Sequence, residues 1–197
     1  ADWFATQASI NEELRSDLDG LRARGRQLVN NNDYARKFRG MVENNIVGPQ
    51  GVTLQVRVED RPGVPDRMAN DAIEAAWSEW SSACDVTGRF SLRDLCEQLV
   101  GSLPSDGEFL VRTVIGPDAG NRFGFALQVI DVDRIDTGMN FAPSVRGANS
   151  VRLGIEIDSL GRKVAAWLYD MHPGDSGAGL APRGASGRVA AESLLHG

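Results

Sequence analysis

The chain has 197 residues, 42% hydrophobic and 24% charged, long enough to bury a core without disulfides or metals. Its net charge of −6, from 27 acids against 21 bases, argues against gripping nucleic acid by phosphate neutralisation, which needs a basic patch. No apolar run approaches the roughly 20 residues of a membrane helix and Ala1 opens no signal-peptide pattern, so the protein reads as soluble and cytoplasmic when made.

A helical pattern runs from Trp3 to Leu18. A second runs from Leu21 to Ile46, with Leu21, Leu28, Ala35, Phe38, Val42 and Ile46 on one stripe. Gly25 and Asn30-Asn31-Asn32 weaken its middle and predict a kink or break there. Gly48-Pro49 ends it, because proline cannot continue a helix. Val52 to Val58 alternates as a half-buried strand does, and Glu59 to Pro65 reads as a polar turn. Asp66 is a predicted N-cap for a helix ending near Cys84, with Ala69, Ile73, Ala76, Trp77 and Trp80 on one face. Ser91 caps a further helix carrying Leu92, Leu95, Cys96, Leu99 and Val100, closed by Pro104 and Gly107.

From there the pattern turns extended. Strands are predicted over Glu108–Ile115, Phe125–Asp131, Arg152–Asp158 and Val164–Asp170, the last two joined as a hairpin through Ser159-Leu160-Gly161. Residues 173–187, rich in Gly, Ala, Ser and Pro, read as a loop. Helices followed by a mostly antiparallel sheet make an α+β fold. Both ends read as cut from a longer chain.

Few constellations suggest chemistry. Cys84 and Cys96 form no CxxC pair and read as two small buried or half-buried thiols. Gly174-Asp175-Ser176-Gly177 matches the tetrapeptide around a protease serine, yet the histidines are His172 and His196, with none upstream to serve as base. Asp131, Asp133 and Asp136 hint at a calcium loop. Ile135 and Ala142 fall where an EF-hand needs ligands, so a solvated strand end with partners such as Arg134 fits better. Asp106-Gly107-Glu108 puts two acids beside a turn glycine. Phosphate loops and metal-spaced His/Cys clusters are missing from the sequence. Arg22, Arg24 and Arg26 either meet phosphate or a neighbouring subunit's acids, or form a solvated helix face.

The order of several segments resembles the lambda family of bacteriophage portal proteins. Leu21 to Asn31, then Tyr34-Ala35 and Asn45-Ile-Val-Gly48, is similar to the family's arginine-rich opening and its "V-G-x-G-I" corner, here one residue longer through Val47-Gly48-Pro49-Gln50-Gly51-Val52. Trp77-Ser-Glu-Trp80, Cys84-Asp85 and Phe90 resemble its tryptophan helix and "C-D" turn. Asp106-Gly107-Glu108-Phe109, Leu127 to Ile135, Gly154 to Asp158 with Gly161-Arg162 and Trp167, and Arg188 to Glu192 with His196 resemble later blocks in the same order.

The resemblance implies a structural subunit with no catalytic, cofactor or metal residues. Its full-length form would be a ring, usually of twelve copies, at a capsid vertex of the virion, assembled in the host cytoplasm. Double-stranded DNA would pass through without sequence specificity, terminase and head-completion and capsid proteins would dock, and no membrane would be involved. On that pattern residues 1–50 form a helical subunit-contact segment, and 51–197 a wing-like α+β body cut short at its C-terminus. Other readings are a head–tail adaptor, or a hydrolase built on Ser176 or on Asp131, Asp133 and Asp136.

Overall fold

The computed structural model describes residues 8–143, 145, 147–175 and 185–197. In chain order these form helices α1 (Ile10–Asn31) and α2 (Asp33–Ile46), strands β1 (Glu59–Arg61) and β2 (Val64–Pro65), helices α3 (Arg67–Ser81) and α4 (Leu92–Asp106), then strands β3 (Leu110–Ile115), β4 (Phe125–Ile130), β5 (Ser150–Arg152), β6 (Ile155–Ile157), β7 (Lys163–Leu168), β8 (Gly187–Ala190) and β9 (Leu194–His196). This is an α+β protein with antiparallel pairing throughout β5–β6–β7–β8. Among the described residues no helix is long and apolar enough to cross a membrane.

The break expected in the helical stretch from Leu21 to Ile46 falls at Asn32. Its extended backbone and side-chain oxygen, accepting from the amides of Tyr34 and Ala35 at 2.9 and 3.1 Å, restart the helix as α2. Gly25 stays helical, and α1 runs unbroken through Leu18-Asp19-Gly20; the expected start near Trp3 lies outside the described residues. Asp66 caps α3 through the Ala69 amide at 3.0 Å. Ser91 and Asp94 cap α4 reciprocally, the Ser91 amide donating to Asp94 at 2.8 Å and the Asp94 amide to Ser91 Oγ at 3.2 Å. Pro104 lies inside the last turn of α4, and Gly107, at φ +78°, ends it.

Several expectations fail locally. Val52–Val58 is not a strand. It lies along α3, with the Val56 amide on Glu74 at 2.9 Å and Val58 exchanging bonds with the Asn70 amide, so side chains of a helix replace a partner strand. The predicted polar turn is instead a short β1–β2 hairpin. Arg152–Asp158 is two strands, because Leu153 and Gly154 take positive φ values of 49° and 80° and reverse the chain. Strands β8 and β9 were not foreseen. Most of the 173–187 loop, residues 176–184, lies outside the described residues, and Gly187 belongs to β8. The predicted stripe of α1 and α2 is not core either: Leu21, Leu28, Phe38 and Ile46 are exposed, while Arg22 and Val29 are buried.

The chain divides into two compact units. The first comprises residues 1–28, 106–110 and 130–197. Its core is Leu110, Ile130, Val132, Ile135, Ala166, Leu168 and Leu194, with Ile155 and Val189 packed on it. Ile155 opposite Ala166 and Ala166 opposite Val189 set the register of its sheet. The alternate position, Glu156, is buried and takes a two-point contact from Arg188, at 2.7 and 3.1 Å. The second unit comprises residues 29–105 and 111–129, with Trp80, Cys84 and Leu95 at its centre. Burial pushes the Cys84 thiol up to about 11. Buried Asp85 accepts from the amides of Thr87, Arg89 and Phe90 and from the Thr87 hydroxyl; burial alone would raise its pKa, but these bonds outweigh it and hold the carboxyl low.

Candidate functional site

The densest polar cluster belongs to the first unit and begins with two arginines of α1. Arg22 and Arg26 are four residues apart and therefore point from one helix face. The turn at Gly107 presents Asp106 and Glu108, and the 3-10 turn Val132–Arg134 presents Asp131 and Asp133. Arg22, only 3% exposed, donates to Glu108 and has Nη1 3.6 Å from Asp133. Arg26 donates to Asp106 at 2.6 Å and to Asp133, with Asp131 at 3.3 Å. Burial alone would weaken the hold of Arg26 on its proton. Hydrogen bonds and charges of Asp106 and Asp133 reverse that and raise its pKa.

Both histidines of the chain close on this cluster. His196 Nε2 is 2.7 Å from Glu108, and His172 Nε2 is 3.3 Å from Asp133. His172 Nδ1 accepts from the Gly174 amide at 2.9 Å, so its other nitrogen carries the proton toward Asp133. Both ring nitrogens are engaged. Ser176 and Gly177, the rest of the protease-like tetrapeptide, lie outside the described residues.

These contacts correct two sequence expectations. Arg134 does not pair with the local acids; its Nε donates to Tyr169 O at 2.7 Å, and the acids meet arginines over 100 residues earlier in the chain. Of the three arginines, Arg22 and Arg26 find acids of their own unit, and Arg24 is exposed. Asp136 stands apart, accepting from Ser186 Oγ at 2.6 Å. The roles of His172 and His196 were missed, since nothing local marks them. The one available signal was that a chain with five candidate acids holds just two histidines.

Ligand atoms of Asp131, Asp133 and His172 lie within 4.8 Å of one another, close enough for a cation. The Arg26 guanidinium already contacts both carboxylates and supplies positive charge there, which works against a divalent ion. The arrangement is an ion-pair cluster.

Glu108 is where this cluster answers to pH. Burial alone would raise its pKa, but the hydrogen bonds and charges of His196 and Arg22 outweigh burial and hold it below the usual value. A depressed carboxylate stabilises the fold above its unfolded pKa, and that stabilisation is lost as pH falls through the folded value. Acid titrations of unfolding free energy should therefore fall below about pH 4.5 in the parent and more shallowly in Glu108→Gln. Equal slopes would show that Glu108 is not the group responsible.

The second unit carries an apolar groove of about 300 Å³, lined by Leu54, Ile73, Trp77, Trp80, Phe123 and Phe125. Trp80 is fixed in it by its indole N–H donating to Phe125 O at 2.8 Å, and its ring lies 5.2 Å from that of Trp77 and 5.5 Å from that of Phe125.

Two comparisons bear on what this architecture is for. The description "Phage portal protein, lambda family" matches residues 1–197. A curated "Probable portal protein" of Halomonas phage phiHAP-1 is 37% identical over 165 residues, 83% of this chain and 31% of that protein. The chain thus spans about a third of the length of the curated relative it matches. A family match along all 197 residues and a relative at this identity agree with each other and with the segment order read above, and the chain belongs to the lambda family of phage portal proteins.

Proposed function

We propose that the protein is a subunit of a portal ring at one vertex of a phage or prophage capsid, through which double-stranded DNA enters and leaves. The observation that carries this is the family match across residues 1–197. In this reading twelve copies close the ring, and terminase and the head-completion and capsid proteins dock on it. Assembly takes place in the host cytoplasm, and DNA slides past without sequence-specific contacts. Residues 1–50 contribute to subunit contacts and residues 51–197 to the body. The net charge of −6 suits a protein that surrounds DNA without gripping it.

The role is architectural, without a reaction. Engagement of both His172 nitrogens and the pairing of Asp106, Glu108, Asp131 and Asp133 with arginines support that reading, because a general base or nucleophile must be free to meet a substrate. Electron microscopy of the full-length protein should show closed rings with a central hole wide enough for duplex DNA. Particles that stay monomeric or dimeric at high concentration would overturn the ring and favour a head–tail adaptor.

A further inference from the structure

Ring closure repeats a head-to-tail contact, so one subunit must carry two different surfaces that fit each other. The second unit holds such a pair. On α2, Tyr34, Phe38 and Met41 follow one another at four and three residues and form a ridge, exposed by 87%, 58% and 52%. The opposite face of this helix carries the Arg39–Glu43 pair, 2.8 Å apart, which fills the room that Gly101 leaves on α4. The ridge therefore points away from its own unit. The recess is the groove over Trp77 and Trp80, whose rim residues Leu54, Ile73 and Phe123 are exposed.

The two surfaces also carry opposite charges beside them. Lys37 sits beside the ridge, three residues after Tyr34 and four before Met41, and pairs with no carboxylate among the described residues. Glu74 follows the groove residue Ile73 on α3, three residues before Trp77; one of its oxygens accepts the Val56 amide and no cation meets it among the described residues. Helix α2 carries more basic than acidic residues, and α3 more acidic than basic. An amphipathic ridge laid in an apolar groove with opposite charges at the rim is a standard mode of helix recognition.

We infer that the Tyr34–Phe38–Met41 ridge of one copy docks in the Trp77–Trp80 groove of the next, with Lys37 facing Glu74 across the contact. This rests on the ring reading and assigns it a surface.

The test uses the full-length protein, with assembly followed by sedimentation and electron microscopy. Lys37→Glu and Glu74→Lys should each raise the concentration needed for half-assembly by on the order of tenfold, and the double exchange should restore it. Glu74→Gln keeps the acceptor for Val56 and separates charge from that local bond. Phe38→Asp should abolish assembly; if it fails to fold, the exposed charge exchanges still decide. Single reversals that assemble at the wild-type concentration, or a double exchange no better than the singles, overturn the docking. Reversals that lower thermal stability without touching assembly also overturn it, and assign the groove to another part of the same chain. A wild type that never self-associates removes the ring reading and this contact together.

Discussion

Arg22→Met is expected to destabilise the protein by ~3 kcal/mol, because it takes the buried cation away from two half-buried acids, Glu108 and Asp133, and leaves them with His196 and Arg26. Arg22 is 3% exposed, bonded to Glu108 and close to Asp133, and methionine fills a similar volume without charge. The loss comes chiefly from the acids left behind. For a chain of this size the change corresponds to a fall in Tm of roughly 10 °C. Arg24→Ala, two residues away and exposed, should stay within ~0.5 kcal/mol of the parent. Adding Glu108→Gln to Arg22→Met should recover part of the loss, since one stranded charge disappears with it. Thermal unfolding of the four proteins checks this. A fall below ~1 kcal/mol for Arg22→Met would show that water reaches the cluster and that it is not a keystone of the first unit.

Position within the cluster also explains what the sequence could reveal of it. The α+β class, the caps at Asp66 and Ser91 and the break at the asparagines depend on residues within a few positions, and local pattern suffices to find them. The cluster joins residues 22, 26, 106, 108, 131, 133, 172 and 196, and no spacing rule connects such distances. The same limit accounts for the misread stripe of α1. Leu21 and Leu28 fall on the apolar stripe that the periodicity picks out, but the helix face bearing Arg22 and Arg26 meets a set of acids that only the folded chain assembles. Val52–Val58 kept the alternation of a strand while lying along α3, since period two says which way side chains point and nothing about the partner. Family resemblance succeeded where these arguments stopped, because it rests on the order of segments along the chain.

Backbone geometry supplies the other large effect, at Gly154. Its φ of +80° lies where side chains are strained, and an added Cβ would sit 2.7 Å from Asp136 O and 2.8 Å from Ile135 Cγ2. Neither neighbour can retreat cheaply. The Asp136 amide donates to Trp167 O at 2.9 Å, the Trp167 amide donates to Gly154 O at 2.8 Å, and Ile135 is part of the core. Widening the gap would break one of those bonds or open the packing around Ala166 and Leu168. Gly154→Ala should therefore cost ~3 kcal/mol or more, the sum of a backbone penalty and an overpacked contact. Gly161 separates the two terms: it has nearly the same φ, +81°, and nothing within 4 Å of its would-be Cβ. Gly161→Ala should cost only ~1 kcal/mol. Urea unfolding of both variants, with unchanged m-values, isolates the contact as the difference between them. Equal losses would mean that the chain at Asp136 yields to a methyl group, and that the tight approach between the Ile135–Asp136 segment and the β5–β6 turn adds nothing to the backbone penalty.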